Sequence, residues 1–284
     1  MPRTPALAGL RSRVADWRWH RSVDTYLVSY PKSGRTWLRL MLGELLRVDH
    51  GVDTDDPTDL YGITAPRSDL PTLAVRHEGR PHRSRREEIR SDKRRFRSKD
   101  VILLVRDPRD VVVSSYFQAS RRDARFTGTL EEFIAAPVGG FDTILRFYGT
   151  WAAARSVPRR FLLVRYEDLH RDTRGELARV VDFLGLRASP EGLDHAVAAG
   201  DFDRMRELES SGAIAAKRMR PGDASDAESY KMRRGEVGGA ADYLDAEQFA
   251  QLTERVRREL PPMFGYPVAL DGTTRPGTDP DGGS

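Results

Sequence analysis

Residues 25–37 read TYLVSYPKSGRTW, and this stretch governs how the rest of the chain is interpreted. Its first five residues form a short, mostly apolar run of the kind that makes a strand. A turn at Pro31 to Gly34 follows, and apolar side chains then recur at helical spacing from Thr36 to Val48. The stretch is therefore predicted to form a strand, a turn and a helix.

Short apolar runs alternate with helical patterns along the rest of the chain. Further strands are predicted at 73–75, 101–105 and 161–164, and further helices at 108–118, 174–184 and 245–260, the last with Asp245 as N-cap. Such alternation is typical of βαβ units. We therefore expect an α/β fold of three layers, with a central, mostly parallel sheet flanked by helices.

The 284 residues favour one large domain, which we place at 23–270, after an N-terminal extension at 1–22. The last segment, 271–284, has the composition of a disordered tail. The chain has no cysteine, which excludes disulfide scaffolds, thiolate metal sites and cysteine nucleophiles. It also has no apolar run long enough for a transmembrane helix, and its start makes a poor signal peptide, so we expect a cytoplasmic protein.

The turn at residues 30–37 has the features of a phosphate site. A turn between a strand and a helix presents backbone N–H groups and the positive end of the helix dipole to an anion. Gly34 permits a close approach of the backbone, Lys32 adds a charge, and Ser33 and Thr36 add hydroxyl donors. The alternative, an ATP-using kinase-like enzyme, requires the pattern GxxxxGK[ST], which is absent because Lys32 precedes the glycine.

A second candidate anion site follows the strand predicted at 101–105. Arg106 stands at the end of this strand, and Ser114 lies eight residues further on in the helix that begins near Pro108. α/β folds place ligands in crevices outside the carboxyl ends of strands. The planar donor fork of arginine suits phosphate, so we expect Arg106 and Ser114 to converge on one anion.

The sequence YPKSGRTW at 30–37 resembles the 5′-phosphosulfate loop of the sulfotransferases that use 3′-phosphoadenosine 5′-phosphosulfate (PAPS). The family pattern is close to YPKSGTTW, so only Arg35 departs from it. Three later segments resemble the same family, namely YEDL at 166–169, FDRM at 202–205 and RRG at 233–235 followed by Gly238. The family's later Trp-Lys pair is missing, since Ala240 and Ala241 occupy that region.

This resemblance implies a P-loop-nucleotide-kinase-like fold and sulfuryl transfer from PAPS to a hydroxyl, with 3′-phosphoadenosine 5′-phosphate (PAP) as product. Lys32 would contact the 5′-phosphate and the bridging oxygen, and Arg106 with Ser114 would hold the 3′-phosphate. Trp37, Tyr166 and Phe202 would lie near the adenine. The implied donor-binding residues are Lys32, Ser33, Gly34, Arg35, Thr36, Trp37, Arg106, Ser114, Tyr166, Phe202, Arg233, Arg234 and Gly235.

An acceptor hydroxyl must lose its proton as sulfur is attacked, and a positioned histidine is the usual base near neutral pH. The resemblance places this histidine after a short strand upstream of Arg106. His77 directly follows the strand predicted at 73–75, whereas His82 lies deeper in an arginine-rich loop, where we expect it to be solvated. We favour His77 as the base and keep His82 as the alternative.

The segment 76–99 is dense in arginine and lysine and suggests nucleic-acid binding as an alternative function. It has no interleaved aromatic ladder with stacking residues at regular intervals, so we expect no nucleic-acid partner and interpret the segment as a rim that attracts PAPS or an acidic acceptor. No residue cluster has metal-ligand spacing, which predicts metal independence.

The composition, rich in arginine and alanine, suggests a bacterial enzyme, monomeric or homodimeric, with a small-molecule, carbohydrate or lipid acceptor. We expect acceptor choice to lie in the weakly patterned segments 51–72, 120–140 and 206–232.

Overall fold

The computed structural model describes residues 16–211 and 235–266. Four parallel strands form its sheet, in the order β2-β1-β3-β4. Their bounds are β1 (Thr25–Ser29), β2 (Leu73–Arg76), β3 (Asp100–Val105) and β4 (Arg160–Arg165). Each strand is joined to the next by at least one helical segment, as parallel strands require.

Helices of the described residues cover both faces of this sheet. They are α1 (16–22), α2 (Arg35–His50), α3 (Leu60–Thr64), α4 (Pro108–Phe117), α5 (Leu130–Ala135), α6 (Phe141–Ala153), α7 (Tyr166–Arg171), α8 (Thr173–Leu184), α9 (Pro190–Ala199), α10 (Phe202–Ser211) and α11 (Ala246–Glu259). Short 3₁₀ turns lie between β2 and β3, and a π-helical segment, Gln118–Arg122, continues α4.

The alternation of side chains along β3 divides the core into two layers. Val101, Leu103 and Val105 join the cluster beneath α4, α6 and α11, whereas Ile102 and Leu104 join the cluster beneath α2, α8 and α9. Successive residues of a strand point to opposite faces of the sheet. Every residue of β3 is buried, as expected for a central strand covered on both sides. The predicted three-layer α/β fold is therefore confirmed.

The predicted elements are present, with their ends shifted by a few residues. The helix predicted to begin at Thr36 begins at Arg35, and the strand predicted at 161–164 extends one residue at each end. Asp245 caps α11 as expected, because its carboxylate accepts the Gln248 N–H. Three of the longer helices, α6, α9 and α10, were not predicted from the sequence.

The strands begin level with one another, so their carboxyl ends form one edge. Thr25 is level with Leu73 and Asp100, and Asp100 is level with Arg160. The chain turns to opposite sides after β1 and β3, which leaves a crevice outside their carboxyl ends. Residues that follow the four strands are thereby brought together.

Candidate functional site

The carboxyl edge of the sheet gathers the residues that the sequence analysis singled out. The turn at 30–34 follows β1, His77 follows β2, Arg106 follows β3, and Tyr166 follows β4. Each therefore belongs to a different βα connection. The site is built by the order of the strands rather than by a single motif.

The turn between β1 and α2 is wound tightly by two residues in the left-handed conformation. Lys32 has φ 71° and Gly34 has φ 83°, and the side chain of Ser33 between them is fully buried. A Cβ atom on Gly34 would lie 2.5 Å from Cδ2 of Tyr166, so no side chain fits there. Thr36 lies buried in the first turn of α2. The first N–H groups of a helix have no partner within it, which suits this turn to an anion.

Two hydrogen-bond contacts of His77 fix its tautomer. Its Nδ1 lies 2.9 Å from the carbonyl oxygen of Ser29, and its Nε2 lies 2.6 Å from Nη2 of Arg35. A carbonyl only accepts and a guanidinium only donates. The proton is therefore on Nδ1, and Nε2 presents its lone pair toward the first residue of α2.

The expectation that His82 is solvated is wrong. Its Nδ1 is buried and has no hydrogen-bond partner in the described part of the chain. Its ring lies 6.0 Å from that of His77, in an edge-on arrangement. Burial, followed by the charges of Arg125 and Arg83, lowers the pKa of His82 to about 4. His82 is therefore neutral at pH 7 and forms part of the same site as His77.

A buried ion pair follows His77, and the sequence analysis missed it. Nζ of Lys93 lies 2.6 Å from a carboxylate oxygen of Glu78, and the two side chains are 0% and 7% exposed. Burial raises the pKa of Glu78 and lowers that of Lys93, and their contact opposes both shifts. Glu78 has φ 51°, so the pair holds a strained turn directly after His77. In a segment so rich in charges, no sequence signal distinguishes this pair.

Arg106 has a partner that the sequence analysis did not assign. Its Nη2 donates to Asp110 at 3.1 Å and to the Glu236 carbonyl at 2.7 Å, and its guanidinium lies 4.5 Å from the centre of the Tyr166 ring. Its Nε is buried without a partner among the described residues. Ser114 lies eight residues further along the chain, in α4, and makes no hydrogen bond to Arg106 among the described residues. The unpaired N–H and the stacked fork fit an anionic ligand.

Asp110 also anchors the segment that leads into α11. Its two carboxylate oxygens accept the N–H groups of Gly238 and Ala240, each at 2.9 Å. The signal in the sequence is the spacing of four residues between Arg106, just before α4, and Asp110 in its first turn, which lets the two side chains meet. The partners beyond residue 235 depend on tertiary packing.

Aromatic side chains form a second wall of the site. The ring centre of Trp37 lies 5.7 Å from that of Tyr166 and 5.5 Å from that of His170. His170, also missed, follows Tyr166 by one helical turn and hydrogen-bonds the Gly235 carbonyl. A Cβ on Gly235 would meet the ring of Phe202 at 2.4 Å. The structure thus brings together the three aromatic residues and the glycine that the resemblance implied.

Arg233 and Arg234 lie outside the described residues. Within the ranges 16–211 and 235–266, no helix is both long and apolar enough to cross a membrane. The same ranges contain no group of three His, Asp or Glu side chains arranged to hold a metal ion.

The low pKa of His82 predicts a loss of stability in acid. The folded state holds His82 neutral down to pH about 4, whereas the unfolded chain protonates it near its ordinary pKa of 6.5. Stability should therefore fall as the pH drops from 6.5 toward 4. Allowing for partial exposure, we expect the free energy of unfolding of His82→Gln to fall by about 1 kcal/mol less than that of the wild type between pH 7.5 and 5.

Urea denaturation at both pH values measures this difference. His50→Gln, at the far end of α2, serves as the control and should lose as much stability as the wild type. A His82→Gln protein that is destabilised by acid as strongly as the control would refute the buried, neutral state.

Comparison with known proteins places the chain in a family. The family model described as "Sulfotransferase domain" matches residues 22–263. A 3-beta-hydroxysteroid sulfotransferase of Cavia porcellus is 28% identical over 262 residues, covering 87% of this chain and 86% of the relative. A flavonol 3-sulfotransferase of Flaveria bidentis is 24% identical and covers 84% and 81%.

Solved structures share the fold. A mouse sulfotransferase in complex with PAP superposes with a TM-score of 0.57 at 23% identity, covering 84% of this chain and 86% of that one. A retinol dehydratase in complex with androsterone and PAP gives 0.56 at 18% identity, covering 84% and 80%. The chain therefore belongs to the sulfotransferase family, whose members transfer a sulfuryl group from PAPS to a hydroxyl acceptor.

Proposed function

We propose that the residues at the carboxyl edge of the sheet bind PAPS and that His77 is the base of sulfuryl transfer. The observation that carries this proposal is the 2.6 Å contact between Nε2 of His77 and Arg35. It places an unprotonated imidazole nitrogen beside the turn that has the geometry of an anion site. A base and a donor site must be this close for direct transfer between two bound substrates.

The turn at 30–37 would hold the 5′-phosphosulfate. Its helix N-terminus and the hydroxyl groups of Ser33 and Thr36 would donate to the phosphate oxygens. Lys32 belongs to the same turn, and its Nζ donates to Oε1 of Gln118 at 3.3 Å. We propose that Lys32 stabilises the negative charge that develops on the bridging oxygen as PAP departs.

The rest of the nucleotide would occupy the walls described above. Arg106, with its stacked and partly unpaired guanidinium, and Ser114 would take the 3′-phosphate, and Arg233 and Arg234 would close over it. Trp37, Tyr166 and Phe202 would contact the adenine beside Gly235. Support comes from the unpartnered buried Nε atoms of Arg106 and of Trp37, since such groups gain most from a bound ligand.

His77 would take the proton from the acceptor. As the acceptor oxygen forms its bond to sulfur, the bond from sulfur to the bridging oxygen breaks, and PAP leaves with the electron pair. The hydroxyl proton passes to Nε2, while Nδ1–H remains bonded to Ser29 and keeps the ring in place. Arg35 must first leave Nε2, and the anionic oxygens of the donor offer its guanidinium a stronger partner.

The acceptor would be a small molecule, a carbohydrate or a lipid with a free hydroxyl. The names of the relatives specify a hydroxysteroid and a flavonol, which supports the small-molecule class. We further propose a bacterial, cytoplasmic enzyme, monomeric or homodimeric, with one domain at 23–270 between the extension 1–22 and the tail 271–284. Cell fractionation and light scattering test these assignments.

Gly34 provides a sharp test of the donor turn. In Gly34→Ala, the new Cβ would lie 2.5 Å from the Tyr166 ring and displace the turn, so PAP affinity should fall by roughly tenfold or more. Gly51→Ala is the matched control at the other end of α2. Gly51 has φ 60° and no atom within 4 Å of its Cβ position, so this variant has a similar backbone cost without the clash.

Calorimetric titration with PAP measures both affinities. We expect Gly51→Ala to bind like the wild type. Wild-type affinity in Gly34→Ala, or an equal loss in both variants, would contradict the assignment of the turn.

The base is tested by comparing His77→Ala with His82→Ala. Loss of a general base typically costs about 10²- to 10⁴-fold in rate, so His77→Ala should lose turnover on that scale while PAP affinity stays unchanged. We expect His82→Ala to retain more than about a tenth of the wild-type rate, because His82 lies beside the proposed base and does not itself take the proton.

Transfer from radiolabelled PAPS to a panel of hydroxylated compounds gives the rates. The assignment fails if His77→Ala keeps the wild-type rate, and it passes to His82 if only His82→Ala is inactive.

A further inference from the structure

The acceptor side of the site carries more positive charge than the sulfuryl donor accounts for. Arg80, Arg83 and Arg125 act on the His82 ring, and the opposing charge comes from Asp123. Lys32 and Arg35 belong to the donor turn. Arg80 and Arg83 flank the turn that carries His82, and Arg125 is paired with Asp123, so positive charge surrounds a ring that lies 6.0 Å from that of His77.

Two of these arginines have no carboxylate partner. Arg80 and Arg83 flank Pro81 and His82 at a 3₁₀ turn. Both arginines are exposed, and neither makes an ion pair with another of the described residues. By contrast, Arg94 in the same basic segment pairs with Asp92 at 2.8 Å. Unpaired arginines beside a reacting group are available to a ligand.

Arg125 is linked to the donor turn through hydrogen bonds. Its Nε donates to Asp123 at 3.1 Å, Nε2 of Gln118 donates to the other oxygen of Asp123 at 2.8 Å, and Nζ of Lys32 donates to Oε1 of Gln118 at 3.3 Å. Gln118 begins the π-helical segment, and such segments often occur at functional sites. Arg125 therefore belongs to the reaction site and not to a remote surface.

This charge would work against the proposed base. His77 must become positively charged when it takes the acceptor's proton, and neighbouring cations disfavour that form. An anionic group on the acceptor would offset these cations and also pair with their guanidinium forks. A neutral, apolar acceptor would leave the excess charge uncompensated.

We propose that the acceptor carries an anionic group, a carboxylate, phosphate or sulfate, which binds Arg80, Arg83 and Arg125 while its hydroxyl faces His77. This inference rests on the proposed function, because it needs a donor in the turn and a base at His77. It narrows the substrate class to hydroxylated anions.

Matched pairs of acceptors test the inference. 4-Hydroxyphenylacetate is compared with its neutral amide, and glycerol 3-phosphate with glycerol. Transfer from PAPS is measured for each compound, and binding to the PAP-saturated protein is measured by calorimetry, which needs no turnover. We expect at least one anionic compound to bind roughly tenfold or more tightly than its neutral partner. Its rate of sulfuryl transfer should exceed that of the neutral partner by a similar factor if its hydroxyl reaches His77.

Charge variants identify the residues responsible. The double variant Arg80→Gln, Arg83→Gln should lose most of this preference and keep its PAP affinity. The double variant Arg94→Gln, Arg97→Gln also removes two positive charges from the segment 76–99, but neither residue is among the main charges that act on His82. It should keep the preference of the wild type.

Equal binding of both members in both pairs, or better binding of the neutral ones, would overturn the inference. A preference that survives in Arg80→Gln, Arg83→Gln would also overturn it. The proposed function fails separately, if the wild-type protein does not bind PAP more tightly than AMP. Lower PAP affinity in the first double variant would show that these arginines serve the nucleotide instead.

Discussion

The ring of Tyr166 packs against three parts of the site at once, and the arrangement of the site depends on this contact. One edge lies where a side chain on Gly34 would be, the Arg106 guanidinium is 4.5 Å from the ring centre, and Trp37 lies 5.7 Å away. Gly34 and Trp37 belong to the connection after β1 and Arg106 to the connection after β3, whereas Tyr166 itself follows β4. A single buried aromatic side chain therefore sets the spacing between the turn and the arginine.

Buried charges hold the remaining parts in place. Asp110 joins Arg106 to the N–H groups of Gly238 and Ala240, so the arginine and the segment before α11 are fixed by one carboxylate. The Glu78–Lys93 pair does the same for the turn after His77. Breaking one partner of such a pair leaves an uncompensated buried charge, which is strongly unfavourable. The segment before α11 and the turn after His77 are therefore each held by a buried carboxylate.

Much of the fold could be predicted from the sequence because its strands are short apolar runs covered on both faces. The helix α6 was missed although its apolar side chains recur at helical spacing, because Gly149 and its many aromatic and β-branched residues have low helix propensity. The turn residues and His77 were found because they adjoin strands in sequence. Asp110, Gln118 and the Glu78–Lys93 pair were missed because their partners are brought close only by packing.

The solvation of His82 was misjudged for the same reason. A histidine between arginines looks exposed in sequence, but the ring packs against His77 and its Nδ1 is buried. The charges of Arg80, Arg83 and Arg125 become meaningful only once that placement is known. Local sequence therefore identified the turn after β1 better than the surroundings of the two histidines.

The most direct test of this account is calorimetric titration of the wild-type protein and of Arg106→Gln with PAP and with AMP. Charge-assisted hydrogen bonds to a buried arginine contribute about 1.5–3 kcal/mol, so the wild type should bind PAP at least about tenfold more tightly than AMP. Arg106→Gln should lose most of that difference. Equal affinity of the wild type for PAP and AMP would contradict the account.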